Sequence, residues 1–333
     1  MTIFSRMSGF GYAVPPKIVG NAEIAAHSDI TEDWIVSRTG ITSRHILDNG
    51  MTGTDLALAA SRSALDHCGR APGDITHILY ATCTPDACCP SAACTLAGKL
   101  GVEERMAIDV NAACAGFVNC MELADGIIAR RPGSLVLLVA SESLSHRCNL
   151  EDRSTAVLFG DGAGAVLISG INNRPADCPS GAIVDIILGS DGEKRDLLLI
   201  SGGYSATPYM LGDTVGPEYF IRMQGGLVFK QAVRRMSACC TELLERNNLS
   251  PDDVDLFVPH QANLRIIDAV GSRLGIGGDR VFLNVQKYGN TSAASIPIAL
   301  AEAVAEGRIG PKARVLVTTF GGGLTWGAAL IQF

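Results

Sequence analysis

DITHILYATCTP at 74–85 and DVDLFVPHQAN at 253–263 decide how this chain is built. Each follows a helical pattern and a turn (PGD or PDD), runs through a short aliphatic stretch and ends in residues able to do chemistry. Two further pairs follow in the same order: SLVLLVAS (134–141) with RVLVTTFGG (314–322), and GDGAGAVLIS (160–169) with GGGLTWGAALIQF (321–333). The first two pairs are offset by about 180 residues and the third by somewhat less. That interval is too long for a solenoid repeat and suits duplication of a whole domain. Between aliphatic runs such as THILYAT (76–82) and MAIDVN (106–111) lie helical patterns, TDLALAASRSALDHCG (54–69) and GFVNCMELADGIIAR (116–130). Strands alternating with helices of this length predict an α/β protein with buried sheets. The expected halves are 1–172 and 173–333, meeting in INNRPADCPSGA (171–182), where Asn, Pro, Asp and Gly accumulate. A pseudo-twofold pair would set the corresponding loops of both halves around one cleft. The stretch 201–217 is expected to be a long, partly exposed loop.

Of the 333 residues, 47% are hydrophobic and 18% charged, enough to bury a large core and too apolar for disorder. A net charge of −7 disfavours attraction to nucleic acid or an anionic membrane. The opening MTIFSRMSGFGYAVPP lacks the apolar core of a secretory signal, and no apolar run reaches the ~18 residues of a membrane span. A soluble, cytoplasmic protein without nucleic-acid or membrane partners is expected. The 11 cysteines are odd in number and irregularly spaced, which predicts reduced thiols, most of them small buried hydrophobes.

One of those thiols has a distinctive setting. Cys114, in AACAGF (112–117), follows the strand MAIDVN and opens a helical run. A thiol at a helix N-terminus feels the positive end of the macrodipole, which favours thiolate. The small neighbours Ala112, Ala113, Ala115 and Gly116 leave room for a bulky thioester. His260, in VPHQANLRI (258–266), lies where the strand DLFVP gives way to a helix, a place where α/β sites gather. Asn290, in YGNTSAAS (288–295), has the chemistry of an ordinary turn residue on its own.

Cys, His and Asn in this order, with FGGGLTWG (320–327), DWIVSRTGI (33–41) and DRSTAVLFGDGAGAV (152–166), resemble the β-ketoacyl-[acyl-carrier-protein] synthase III family along nearly the whole chain. The resemblance implies a thiolase-like fold, two duplicated halves in a layered α-β-α-β-α arrangement, and a homodimer. It implies condensation of an acyl-CoA starter with malonyl-acyl carrier protein, initiating fatty acid biosynthesis, with no metal or other cofactor. Cys114 would carry the acyl group, with His260 and Asn290 donating hydrogen bonds to the malonyl-derived enolate. The backbone N–H groups of Cys114 and Gly322 would form the oxyanion hole, although the GGG run also suits a tight turn. Trp34, Arg38, Arg153 and Asn263 match the CoA-binding positions, and Arg265, helped by Lys230, the carrier-protein docking site. Cys89 and Phe320 match the acyl pocket. Many members carry a larger residue, often Phe, where this chain has Cys89, so a longer or branched starter is expected to fit.

Rival chemistries fit less well. Cys83, Cys88, Cys89 and Cys94 contain no Cys-x2-Cys pair and have no nearby His to complete a zinc pattern. A degradative thiolase would need a second cysteine in the C-terminal glycine region, and FGGGLTWG has none. The elongating synthases use two histidines, whereas the third position here is Asn290. The alternative that stays open is a synthase-III-like condensing enzyme or acyltransferase of a specialised pathway.

Overall fold

The computed structural model describes residues 5–27, 29–48, 50–172 and 178–333. Its frame is a nine-stranded mixed sheet of β1 (Ser5–Ala13), β2 (His77–Ala81), β3 (Met106–Val110), β4 (Leu135–Glu142), β5 (Gly162–Gly170), β6 (Ser180–Ser190), β7 (Leu256–Pro259), β8 (Arg314–Gly321) and β9 (Thr325–Gln332). From its middle outward the first half runs β1-β5-β4-β2-β3 and the second β6-β9-β8-β7. A parallel bridge from Phe257 to Val281 stands where the second half would place a fifth strand. Strand directions match as well. β2 is parallel to β3 and β4, and β7 to β8, while β5 and β9 are antiparallel to both their neighbours. The three sequence echoes therefore fall on equivalent strand pairs, β2 with β7, β4 with β8 and β5 with β9.

The two halves of the sheet join at its centre. Arg6, Met7 and Ser8 of β1 pair antiparallel with Ala182, Gly181 and Ser180 of β6, so the two sheets are continuous. Each is the first strand of its half and sits at its inner edge, and pairing satisfies backbone groups that burial would otherwise leave without partners. Residues 173–177, where the predicted boundary falls, lie outside the described residues.

The main helices are α1 (Glu32–Thr39), α2 (Gly53–His67), α3 (Ala92–Leu100), α4 (Gly116–Arg130), α5 (Gly225–Arg246), α6 (Leu264–Leu274) and α7 (Ser295–Ala305). Alternation along the strands assigns the layers. Ile78 and Tyr80 of β2 face Leu56, Ala60 and Leu96 of α2 and α3, whereas Leu79 and Ala81 face Phe117 and Met121 of α4. In the second half Phe257 and Leu316 pack on Met236 and Val270 of α5 and α6, and Val258 and Val317 turn inward to the central layer. The order is thus α2/α3, sheet, α4/α7, sheet, α5/α6. The sequence of α7, SIPIALAEAVA, is apolar nearly all round because both halves of the sheet cover it, and every residue from Ser295 to Ala303 is buried. A Thr52–Asp55 capping box starts α2, whose apolar residues recur every three or four positions toward the sheet. Among the described residues no helix is long and apolar enough to cross a membrane.

Candidate active site

Both central helices begin at the same place, and their leading turns are built alike. Asn111 Oδ1 accepts the Ala113 N–H at 3.2 Å ahead of α4, and Asn290 Oδ1 accepts the Ser292 N–H at 2.9 Å ahead of α7. The residue held in each turn is left-handed, with φ of +46° at Ala113 and +51° at Ser292. For a non-glycine residue this costs about 1–2 kcal/mol, which the asparagine hydrogen bond helps offset. Duplication has brought the two turns together, with the Cys114 thiol on one and the Asn290 amide on the other.

Cys114 is buried, and its sulfur lies between two cavities that it helps to line. Its carbonyl accepts a hydrogen bond from Thr319 Oγ1 at 2.8 Å. Gly321 packs so closely that a Cβ there would lie 2.7 Å from the Cys114 nitrogen and 3.2 Å from its Cβ. The predicted oxyanion glycine, Gly322, lines the second cavity beside Ala113 and Cys114. Gly321 is thus the glycine pressed against the nucleophile's backbone. Gly321→Ala should push Cys114 out of place and slow acylation by about 10²-fold. Gly310→Ala, with nothing within 4 Å of its Cβ, should leave the rate unchanged in a rapid-mixing assay of CoA release.

The thiol departs from its expected state. Burial, reinforced by the neighbouring Glu142 carboxyl, pushes it up to about 12, although its own backbone N–H pulls the other way. A helix dipole can be read from residue order, whereas desolvation depends on the folded surroundings and here outweighs it, so Cys114 rests as a thiol.

His260 follows β7 and is held by its own N–H donating to Thr318 O at 2.7 Å. Its Nδ1 lies 2.6 Å from Ser295 Oγ at the start of α7. The Gln261 N–H points at that same oxygen, at 3.4 Å, and with the Ser295 hydroxyl donating to Nδ1 the one N–H of the neutral ring lies on Nε2. Burial lowers His260 to about 4, making it a neutral donor at physiological pH. Asn290 is buried with its oxygen committed to Ser292, which leaves its NH2 to donate. His260, Asn290 and Cys114 all line the first cavity, of roughly 400 Å³.

The mouth of that cavity gathers residues from distant segments. Thr31 caps α1, and Trp34 and Arg38 lie one turn apart on it, the guanidinium 6.0 Å from the indole centroid. Gly40 ends α1 at φ +75° and lies so close to Leu264 that a Cβ would come within 2.6 Å, which docks α1 on the start of α6. There Asn263 caps α6, its oxygen accepting the Ile266 N–H at 3.0 Å, and Arg265 lies over the Phe229 ring at 5.6 Å. Arg153 completes the rim. Lys230 is exposed on α5 beside Phe229, outside the cavity lining. Phe320 lines this first cavity and not the second. Cys89 is exposed and lines neither cavity of its own chain.

The second cavity, about 600 Å³, is walled by Leu144, Phe159, Leu198, Ile200 and Ile221 and opens past Tyr204 in the predicted long loop. Sequence reasoning missed Ser292, Ser295, Glu142 and Cys83. Ser292 and Ser295 stand inside the quoted YGNTSAAS, but nothing marks one hydroxyl over another. Among the described residues no three His, Cys, Asp or Glu side chains converge as metal ligands.

A buried thiol faced by two neutral N–H donors, with one cavity toward a charged rim and one toward an apolar pocket, is the layout of a thiol-dependent condensing enzyme on a thiolase-like fold. Known proteins agree. The family described as 3-oxoacyl-[acyl-carrier-protein (ACP)] synthase III matches residues 108–192, and its C-terminal part matches residues 244–333. The β-ketoacyl-[acyl-carrier-protein] synthase III of Nitratidesulfovibrio vulgaris strain DP4 is 56% identical over 335 aligned residues, covering 100% of both chains. The crystal structure of 3-oxoacyl-[acyl-carrier-protein] synthase III from Aquifex aeolicus VF5 is 39% identical, with a TM-score of 0.89 over 99% of this chain and 100% of that one. A priming β-ketosynthase of the R1128 polyketide pathway is 35% identical, with a TM-score of 0.89 over 99% of this chain and 96% of that one. The chain belongs to the 3-oxoacyl-[acyl-carrier-protein] synthase III family.

Proposed function

We propose that this protein condenses an acyl-CoA starter with malonyl-acyl carrier protein to give 3-oxoacyl-acyl carrier protein, the step that initiates fatty acid synthesis. The observation that carries this reading is the convergence of Cys114, His260 and Asn290 on one cavity whose rim holds Trp34, Arg38, Arg153, Asn263 and Arg265.

Cys114 attacks the starter thioester, CoA leaves, and the acyl group remains on sulfur. N–H groups at the Cys114 turn and the Gly321–Gly323 turn receive the oxyanion of that step. Malonyl-carrier then enters from the same rim and loses CO2. The His260 Nε2–H and the Asn290 NH2 bind the enolate oxygen that forms, and the enolate carbon attacks the Cys114 acyl group. The indole of Trp34 and the guanidinium groups of Arg38 and Arg153 suit a nucleotide and its phosphates. The acyl chain takes the apolar second cavity. Decarboxylation drives the condensation and needs no metal or redox cofactor.

Arg265 docks the acidic carrier protein, with Lys230 as a helper. Arg265→Glu is expected to raise KM for malonyl-carrier by about 10- to 100-fold, more at low salt, while acylation by acyl-CoA stays near native. Steady-state assays at two ionic strengths check this. The protein works as a cytoplasmic homodimer. In support, β3 is an uncovered sheet edge carrying the exposed Met106 and Ile108, and the Cys89 loop projects from its own chain. In a dimer that loop is free to approach the partner's acyl cavity, and the small Cys89 side chain favours a long or branched starter.

Product analysis with acetyl-, isobutyryl- and octanoyl-CoA tests the reading. It requires 3-oxoacyl-carrier and one CO2 per CoA released, and fails if no starter is condensed. Strict acetyl preference would remove the Cys89 argument alone. The similarity to a priming ketosynthase favours one second reading, starter condensation in a specialised pathway, for which the same assay would show a starter that fatty acid synthesis does not use.

A further inference from the structure

Behind the nucleophile lies a carboxyl group with no part in the steps above. Glu142 ends β4 and is fully buried. Its oxygens accept from Thr84 Oγ1 at 2.6 Å, Thr82 Oγ1 at 3.3 Å, the Cys83 N–H at 3.1 Å, the Cys83 thiol at 3.4 Å and Ser292 Oγ at 3.0 Å. Both threonine hydroxyls are held as donors, because their oxygens already accept the N–H groups of Ser143 and Thr84. The other titratable groups facing it are the Cys83 and Cys114 thiols and the Tyr80 phenol. No cation hydrogen-bonds or pairs with it among the described residues. Burial raises this carboxyl above its ordinary range, while the surrounding donors favour its anion.

Ser292 Oγ stands between Glu142 Oε1, at 3.0 Å, and Cys114 Sγ, at 3.3 Å. A hydroxyl has one proton to give. Donated to the carboxylate, the stronger acceptor, it leaves an oxygen lone pair facing the thiol S–H. The left-handed turn fixed by Asn290 aims the hydroxyl there, so the same asparagine that offers its NH2 to the cavity also sets this contact.

We propose that Ser292 and Glu142 form a proton relay that takes the Cys114 proton during acylation, holds it while the acyl-enzyme exists and returns it when the acyl group leaves. As sulfur bonds to the acyl carbon, the thiol proton passes to Ser292 Oγ and the serine proton to Glu142 Oε1. The thioester C–S bond then breaks, and the CoA thiolate takes a proton from water at the cavity mouth. In the second half-reaction CO2 leaves, the enolate carbon bonds to the acyl carbon and the bond to Cys114 breaks. Glu142 then returns its proton through Ser292 to the released thiolate. One proton is consumed per turnover, as the overall condensation requires. Ser292 touches the reacting sulfur and is a catalytic residue, whereas Glu142 acts through it as a positioning residue.

The relay rests on the acyl-transfer reading of Cys114, and one experiment separates the two. Rapid-quench measurement of CoA release from acetyl-CoA between pH 7 and 9 is compared for the native chain, Ser292→Ala and Glu142→Gln. Native acylation should be flat with pH, since the proton acceptor is internal. Both variants should be about 10²-fold slower at pH 7 and climb about tenfold per pH unit, because solvent must then take the thiol proton. Urea-melt midpoints close to the native one in both variants report that they fold. Native-like rates and flat profiles in the variants would overturn the relay, leaving Cys114 acylation intact. A native rate that itself climbs tenfold per pH unit would overturn it even if a variant failed to fold. A native chain that forms no Cys114 adduct would overturn the relay and the proposed function together.

Discussion

Cys114→Ser is expected to abolish acyl-enzyme formation, with condensation falling by at least about 10³-fold. The substitution removes one atom type and keeps the shape, so the loss is chemical. An alcohol is a far weaker acid than a thiol, and this position is buried, which already pushes the native thiol up to about 12. Among the described residues no imidazole is placed to activate it. The one nearby histidine of the cavity, His260, has its Nδ1 committed to Ser295 and keeps a proton on Nε2. Decarboxylation of malonyl-carrier should survive in Cys114→Ala, because the donors for that step lie on the other half of the chain. Intact-mass analysis for the adduct and CO2 release for the decarboxylation check the two halves separately.

His260→Ala and Asn290→Ala reverse that pattern. Each should still accept an acyl group on Cys114, more slowly in Asn290→Ala because the Ser292 turn loses its anchor, and lose condensation by about 10²- to 10³-fold, the usual cost of one oxyanion donor. The pH dependence follows from burial. His260 is lowered to about 4, so the ring is a neutral N–H donor at all higher pH, and native decarboxylation should be flat from about pH 6 to 9. Stability carries the same signature. An unfolded histidine protonates near 6.5 while the buried ring refuses the proton until about 4. The stabilisation due to His260 is thus complete above 6.5 and is lost as pH falls through that interval, a loss that His260→Asn should reduce in urea melts at pH 7 and 5.

Duplication was legible because strands buried on both faces read as continuous aliphatic runs and these repeat with their turns, so DITHILYATCTP and DVDLFVPHQAN could be matched without knowing what they pack on. Cys114, His260 and Asn290 were legible through their neighbours. β1 and β6 were not matched as a pair, because the contact that joins the sheets involves only three residues of each and leaves no pattern. The state of the Cys114 thiol was missed for another reason. A helix terminus can be read from sequence order, but desolvation depends on atoms brought from residues 83, 142 and 292. Hydroxyl networks are the hardest case. Ser292 and Ser295 differ by three positions in one motif, yet one meets the thiol and the other the imidazole. Gly321 and Gly322 are equally anonymous, and only the packing against Cys114 N distinguishes them.

Mass spectrometry of the protein after acyl-CoA alone, and again after malonyl-acyl carrier protein, tests the central claim most directly. The account predicts one acyl group, located on the peptide containing Cys114, stable in acyl-CoA alone and discharged by malonyl-carrier into 3-oxoacyl-carrier with release of CO2. An adduct on any other residue, or discharge of the acyl group to an acceptor without decarboxylation, would contradict it.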